Sequence, residues 1–526
     1  MLWGLCLKFN CNKLAFSSKS HAMPRQPAAS RLTVRVLSSL TVAGLCVLSG
    51  PYGSARAQDA SQDARREVTN PASGGETQPT PTPMLSTTIP GFMDSPYGPP
   101  SFGAPYGTTH MFGSWGGIQP WLQKRGVYVA VDIYESLAGN VTGGRHKTET
   151  NAGQVGVTLD VDWQKLLGAG NWAKDFWLHM LMVNGHGRNL SGDIGDNVTQ
   201  AQQIYGARGN VVAHLVWAYA EKAWFNRKVD WAIGWMPTGT FFNNSPWVCS
   251  FMNVSLCGNV TPTKYLNGGR DWPSGNIGTV LRLMPTKHLY LMGGLFAVSP
   301  HSYNGGISGW SWAQSGLGKL STEVEAGWIP EFGRDKLIGH YKVGVMYDNS
   351  RYPDLYDDGS GQAWVLTGRR PRYQSGQTSV WVMADQMLIR HGAGPMNGLV
   401  LAGYYSYASG QTSAMNHHLV GALLDTGKLW GRPLDTWGIA FQWMNFSRAA
   451  ILQQEASFNA GLPFQSTNFG TPHGIQSHEN AYELFYSFHV MNGLTVQPDF
   501  QYFNRLGGTT TYKDAAVLGV VFNALL

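Results

Sequence analysis

A two-residue rhythm begins at Val127 and returns, segment after segment, as far as the C-terminus. Val127, Val129, Val131 and Ile133 fall on one parity, and Tyr128, Ala130, Asp132 and Tyr134 on the other. The pattern repeats with Val155, Val157, Leu159 and Val161 against Gln154, Thr158, Asp160 and Asp162. Near the end, Tyr482, Leu484, Tyr486, Phe488 and Val490 oppose Glu483, Phe485, Ser487 and His489. Leu494, Val496, Phe500 and Tyr502 then oppose Thr495, Gln497, Asp499 and Gln501. Period two belongs to extended chain, whose successive side chains point to opposite faces. Counting such segments gives about sixteen strands, and Asn492-Gly493 is a two-residue hairpin signal between the last two quoted.

One parity must face something apolar, and composition suggests what. Charged residues make up 13% of the chain, against about 25% in ordinary globular domains. Gly reaches 65 residues and aromatics 12%, a mixture suited to strands, tight turns and interfacial girdles. No apolar run after residue 58 is long enough for a transmembrane helix, and the mean hydropathy is -0.18. Asp132, Asp160, Arg282, Glu323, Glu325, Lys342 and Asp499 lie on the polar parity. A Lys or Arg facing lipid at mid-depth costs about 2–4 kcal/mol, so a watered lumen is the cheap location for these charges. For each of them, keeping the lumen hydrated is the simplest role. The expected architecture is an all-β transmembrane antiparallel barrel spanning 113–526, with a short N-terminal helix from Trp115-Gly116-Gly117 to Gly126.

Connection lengths point the same way, because outer-membrane barrels keep short turns on one rim and long loops on the other. Brief links near Phe225–Arg227, Met284–Lys287 and Asn492-Gly493 interleave with long ones near Gly187–Asn210, Pro237–Ser274, Asp348–Ser375 and Ser447–Glu479. Pro498 sits inside a strand on the apolar parity, which suggests a bulge or a strand end.

Upstream, Arg25, Arg31 and Arg35 precede an apolar run from Val36 to Leu48, and Ala55-Arg56-Ala57 offers a cleavage site. Residues 1–57 are therefore expected to be a signal peptide with an upstream extension, Met23 being an alternative start. An uncleaved anchor is disfavoured by the short apolar core. Residues 58–112, rich in Pro, Thr and Gly, read as a flexible linker. Cys6, Cys11 and Cys46 fall in the segment expected to be removed, which leaves Cys249 and Cys257. Two such thiols in an oxidising compartment are expected to pair. Two separate buried thiols are the alternative, and metal binding lacks further ligands at suitable spacing.

Several motifs resemble the carbohydrate-selective porin family of the OprB type. They include Trp115-Gly116-Gly117 with its helix, the strand pair Trp217–Trp235 with Glu221, Gly234 and Phe241 or Phe242, and Asp385-Gln386. The block from Glu479 to Tyr502 is the most specific match, and Cys249 and Cys257 look like the paired cysteines of the family's third loop. The chain departs from the usual aromatic end of such barrels, closing on Phe522-Asn523-Ala524-Leu525-Leu526. The resemblance implies a sixteen-stranded barrel in the bacterial outer membrane, trimeric in some members, in contact with outer-membrane lipid. It implies passive diffusion of mono- and small oligosaccharides through a constriction, without a cofactor.

Sugars present hydroxyls in the ring plane and C–H faces above and below, so a selective pore offers charged or amide groups and aromatic faces. Arg270, Asp271 and Trp272, together with Trp247, are the first candidates for the constriction, on a third loop expected to fold inward. An exposed Arg-Asp turn beside a packed tryptophan is the plain alternative. Glu221, Arg282, Glu323, Glu325 and Asp385 are candidates from the wall. Asp354, Asp357 and Asp358 before Gly359 could form a surface Ca2+ site.

A porin for other small polar solutes is the runner-up, followed by a secreted sugar-binding β-protein. An enzyme is not expected, since no Cys-x-x-Cys, His-Glu-x-x-His or convincing Gly-x-Ser-x-Gly is present and His478-Glu479 lacks a second histidine. A plugged transporter of ~22 strands needs more chain. No Lys/Arg cluster points to nucleic acid.

Overall fold

The computed structural model describes residues 110–526 apart from 169, 196–197, 203–210, 246, 257–273, 299–318, 393–396, 428–430 and 467–470. The signal peptide, the alternative start and all but the end of the expected linker lie outside the described residues.

Sixteen long strands follow one another round a closed ring. They are β1 (Val127–Thr142), β2 (Glu149–Asp162), β3 (Phe176–Gly187), β4 (Val211–Trp224), β5 (Val229–Met236), β6 (Asn276–Thr286), β7 (Leu289–Ala297) and β8 (Leu320–Trp328). The second half comprises β9 (Leu337–Pro353), β10 (Tyr373–Arg390), β11 (Gly398–Ala408), β12 (Met415–Thr426), β13 (Thr436–Phe446), β14 (His478–Met491), β15 (Leu494–Asn504) and β16 (Ala515–Leu525). Each strand pairs with its neighbours in sequence, and β1 pairs antiparallel with β16 from Asp132↔Leu525 to Thr142↔Ala516, so no edge is left open. The two-residue segment Glu331–Phe332 only extends the foot of β9.

The expected parity is met residue by residue. On β8, Ser321, Glu323 and Glu325 are buried inward while Leu320, Val324 and Trp328 are exposed outward. On β15, Thr495, Gln497, Asp499 and Gln501 are buried, and Phe500 and Tyr502 are exposed. The outward set is exposed and largely apolar. An outward-facing couple, Glu135 and His186, departs from the apolar rule, and its two side chains hydrogen-bond each other.

Three details differ from the sequence reading. Pro498 is neither in a bulge nor at a strand end. Its ladder to β14 lapses between Phe485↔Asp499 and Phe488↔Val496, yet the register is the same on both sides, and the other edge pairs normally with Val520. The missing N–H thus falls in a local gap on the outward face. Strands β9 and β10 climb past Asp348 and Ser375 to Pro353 and Tyr373, with a register shift at Asp348/Arg351. Finally, the connection after β13 contains a helix, Arg448–Asn459, capped by the Ser447 hydroxyl accepting from Ala450 N.

At one rim the turns are short, as at Phe225–Lys228, Lys287–His288 and Asn492-Gly493, where Gly493 has φ +70°. The opposite rim carries 188–210, 237–275, 354–372 and 447–477, although 143–148 and 409–414 are brief there too. The expected N-terminal helix is Ile118–Gln123, entered through a 3-10 turn at Trp115–Gly117.

Candidate functional site

The connection between β5 and β6 turns inward, and the wall strands are shaped to receive it. Gly294 on β7 leaves a recess, since a Cβ there would come within 2.8 Å of the Phe242 ring. Gly519 on β16 does the same for Met252, whose Cε would lie 2.6 Å from such a Cβ. Phe242 packs edge-on against Phe296 at 6.2 Å, and Phe251 against Phe485 at 5.0 Å. These rings bury the loop against β7 on one side of the ring and β14 on another.

Two buried carboxylates then hold its backbone. Glu325 of β8 accepts from Asn243 N at 2.9 Å, from Trp381 Nε1 at 2.8 Å and from Tyr290 Oη at 2.7 Å, with Lys342 Nζ at 3.9 Å. Lys342 in turn donates to the Asn244 carbonyl. Six strands further round, Glu483 of β14 accepts from Met252 N at 2.5 Å and Asn253 N at 3.0 Å. Hydrogen bonds to a charged acceptor contribute about 1.5–3 kcal/mol each, and removing the acceptor would strand buried amides. Amides complete the seat. Asn253 Nδ2 donates to Gln501 Oε1 at 3.0 Å, Ser255 Oγ to Gln442 Oε1 at 2.8 Å, and Tyr404 Oη to the Ser255 carbonyl at 3.0 Å.

The connection after β3 meets it there. Val254 N donates to the Gln200 carbonyl at 2.9 Å, and Gln501 Nε2 to the Ala201 carbonyl at 2.8 Å.

The wall candidates occupy buried polar networks. Asp160 lies 2.6 Å from His179 Nδ1, and His179 Nε2 lies 3.4 Å from Glu221. Arg227 donates to Glu221 at 2.6 Å, and Arg282 Nε donates to Asp230 at 3.1 Å. The result is a continuous run of alternating charge across β2–β6 near the short-turn rim. Asp385 pairs with His340 at 2.5 Å across β9 and β10. Glu323 stands beside Thr238 of the inward loop. Glu221, Glu323, Glu325 and Asp385 are all no more than 3% exposed. They touch protein, so their visible work is to brace the wall and seat the loop. Trp247 is likewise packed, among Val248, Phe251 and the wall aromatics.

Cys249 is disulfide-bonded. Cys257, Arg270, Asp271 and Trp272 lie outside the described residues. Glu483, Asn253, Gln442 and Gln501 were not singled out as site residues by the sequence. Their inward parity was the available signal, but nothing local marks which inward residues face a loop.

Asp354, Asp357 and Asp358, the candidates for a surface Ca2+ site, are engaged by the loop's own groups. No group of three metal-capable side chains converges among the described residues. Asp354 Oδ1 accepts from Tyr356 N and Asp357 N, each at 2.9 Å. Asp357 Oδ1 accepts from Gly359 N at 2.7 Å and Gly361 N at 2.8 Å, and Asp358 Oδ1 from Ser360 N at 2.8 Å. The carboxylates shape turns, the commoner use of Asp beside Gly. The Ser360 hydroxyl and amide hold Asp358 down at about 2.

Comparison with known proteins gives concordant results. A family model described as carbohydrate-selective porin, OprB family, matches residues 146–524. Porin B of Pseudomonas aeruginosa is 26% identical over 78% of this chain and 90% of its own length. A putative porin, QuiX, of Acinetobacter baylyi is 24% identical over 78% of this chain and 91% of its own. The high-pH structure of Pseudomonas putida OprB superimposes with a TM-score of 0.72 at 27% identity, covering 80% of this chain and 99% of the other.

Proposed function

This chain belongs to the carbohydrate-selective porin family of the OprB type, a carbohydrate porin of the bacterial outer membrane, and from that premise we propose that the loop after β5 is its selectivity element. The observation that carries the proposal is the seating of that loop between Glu325 and Glu483, on wall strands far apart round the ring. A segment held on both sides of a lumen narrows it at a set height. Diffusing solute must then exchange its hydration for contacts along that edge, weakly enough to leave again.

Within this reading, Arg270, Asp271 and Trp272 supply the solute contacts, the guanidinium and carboxylate to hydroxyls and the indole to a sugar face. The solutes are mono- and small oligosaccharides, and the wall charges act through the loop they support. Single-channel recording in planar bilayers, with a panel of sugars and organic anions as blockers, tests the proposal. Arg270→Ala with Trp272→Ala should weaken block by sugars while leaving the barrel folded. Unchanged sugar block, with unchanged rates in liposome swelling, would remove the loop from the selectivity mechanism. Stronger block by organic anions than by sugars would favour a pore for other polar solutes.

A further inference from the structure

The outward face of β9 and β10 changes character as it rises. Val343 and Val345, with Val380 and Val382 alongside, are exposed to the hydrocarbon zone. Tyr347 follows, 47% exposed, lying over Gly376, where φ is +87° and a Cβ would meet the ring at 2.7 Å. Only a glycine fits that backbone and that contact together. Above it Arg351 is exposed, its guanidinium carbon 5.5 Å from the Tyr373 ring. Higher still the loop presents Arg369, Arg370 and Arg372, all exposed.

The same loop holds three aspartates, yet they do not cancel the arginines at the surface. Asp354 is 4% exposed, the Asp358 side chain is fully covered, and the Asp357 side chain is 22% exposed beside Arg372. One oxygen of each accepts from the loop's own backbone amides, as described above, and the other faces Gln374, Arg372 or Thr367. Arg369 and Arg372 keep only long ion pairs, at 3.8 and 3.5 Å, with their side chains 68% and 57% exposed. Two of the three carboxylates are tucked under, while the guanidiniums are turned out. Each guanidinium has five donors in a fork that matches phosphate. By contrast, the adjacent face of β11 and β12 ends in Tyr405 and Tyr407, and its connection 409–414 contains no basic residue.

Aliphatic wall, tyrosine, then arginine is the order of zones met on leaving a bilayer from its core to its phosphates. We propose that Arg351, Arg369, Arg370 and Arg372, above Tyr347 and Tyr373, bind the phosphates of a phosphorylated glycolipid of the outer leaflet. The site rests on the outer-membrane placement of the barrel and is separate from the pore.

The test uses the full-length protein folded in detergent micelles, with binding measured by native mass spectrometry. The probes are bisphosphorylated lipid A, its dephosphorylated form and inorganic phosphate. Changing all four arginines to Gln should weaken binding of the bisphosphorylated lipid by about tenfold or more. The same change to Lys should lose less, and the wild type should prefer the phosphorylated lipid. A matched variant on the other rim, with Lys228, Lys287, Arg334 and Lys336 changed to Gln, should bind as wild type does. If the fourfold variant does not fold, Arg351→Gln with Arg370→Gln carries the test and should weaken binding several-fold.

Unchanged affinity in the arginine variants, equal loss in the matched variant, or equal binding of the dephosphorylated lipid would each overturn the proposal. So would inorganic phosphate binding as tightly as the lipid. Sugar conductance of the same variants reports on the pore alone. Conductance retained while lipid binding is lost supports the separation of the two sites, and loss of both overturns it.

Discussion

The loop after β5 and the loop after β9 are both tethered by carboxylates that accept backbone N–H groups, but the carboxylates come from different places. In the first they belong to the wall, Glu325 and Glu483, and the partners lie 82 and 230 residues away in sequence. In the second they belong to the loop itself, Asp354, Asp357 and Asp358, and the partners lie two to four residues away. A loop held by the wall takes its position from the closed barrel. A loop held by its own turns keeps its shape whatever the barrel does. The first arrangement suits a filter and the second suits an outward display.

Releasing the wall-held loop should have the largest effect. Glu325→Gln combined with Glu483→Gln replaces charged acceptors with amides that cannot satisfy all the facing donors, at about 1.5–3 kcal/mol for each bond lost. Planar-bilayer conductance should rise several-fold and block by sugars should weaken. Conductance equal to wild type would mean that the carboxylates do not position the loop, and the contrast would fail. Cys249→Ser should act in the same direction but less, because loss of its disulfide removes up to about 2–3 kcal/mol of constraint. Noisier current at nearly the same mean conductance is the expected recording.

The self-held loop should respond locally. Asp357→Ala with Asp358→Ala removes the acceptors of Gly359, Ser360 and Gly361, so proteolytic nicking within 354–372 should accelerate while sugar conductance is unaltered. A change in conductance would show that the two loops are coupled. The smallest effect is expected from pH. Asp358 sits at about 2, below the ordinary carboxylate value of about 3.9. Its contribution is therefore fully present above about pH 4 and is lost as pH falls through 2. Deuterium uptake of 354–372, measured by mass spectrometry, should stay flat from pH 7 to 4 and rise only near pH 2, after correction for intrinsic exchange. A rise already at pH 5 would contradict the turn assignment.

These loops also mark where the sequence is readable. Strand number and facing were legible because the period-two signal is local and a lipid face tolerates few charges. The inward loop was anticipated from the resemblance, but its seats were not. Glu483 looks like any other inward charge until Met252 is brought to it from 231 residues away. Asp354, Asp357 and Asp358 were ambiguous because Asp beside Gly serves both cation loops and amide-capped turns. The helix Arg448–Asn459 was passed over inside a stretch read as a long connection. Its signals, Ser447 as cap and the run Ala449-Ala450-Ile451-Leu452-Gln453-Gln454-Glu455-Ala456, were nevertheless present.

The join between β1 and β16 carries a consequence for biogenesis. Leu525 N donates to the Gly493 carbonyl at 2.8 Å, Met111 N to the Leu525 carbonyl at 2.7 Å, and Leu526 N to the Val131 carbonyl at 2.8 Å, so both ends of the barrel are fastened at one point. An unclosed sheet has no interior. Until β16 finds β1, Glu483 and Gln501 cannot stand across from Met252 and Ala201, and the loop after β5 has no frame to rest in. Seating of the loop after β5, which depends on contacts far apart in sequence, is thus expected only once the ring has closed.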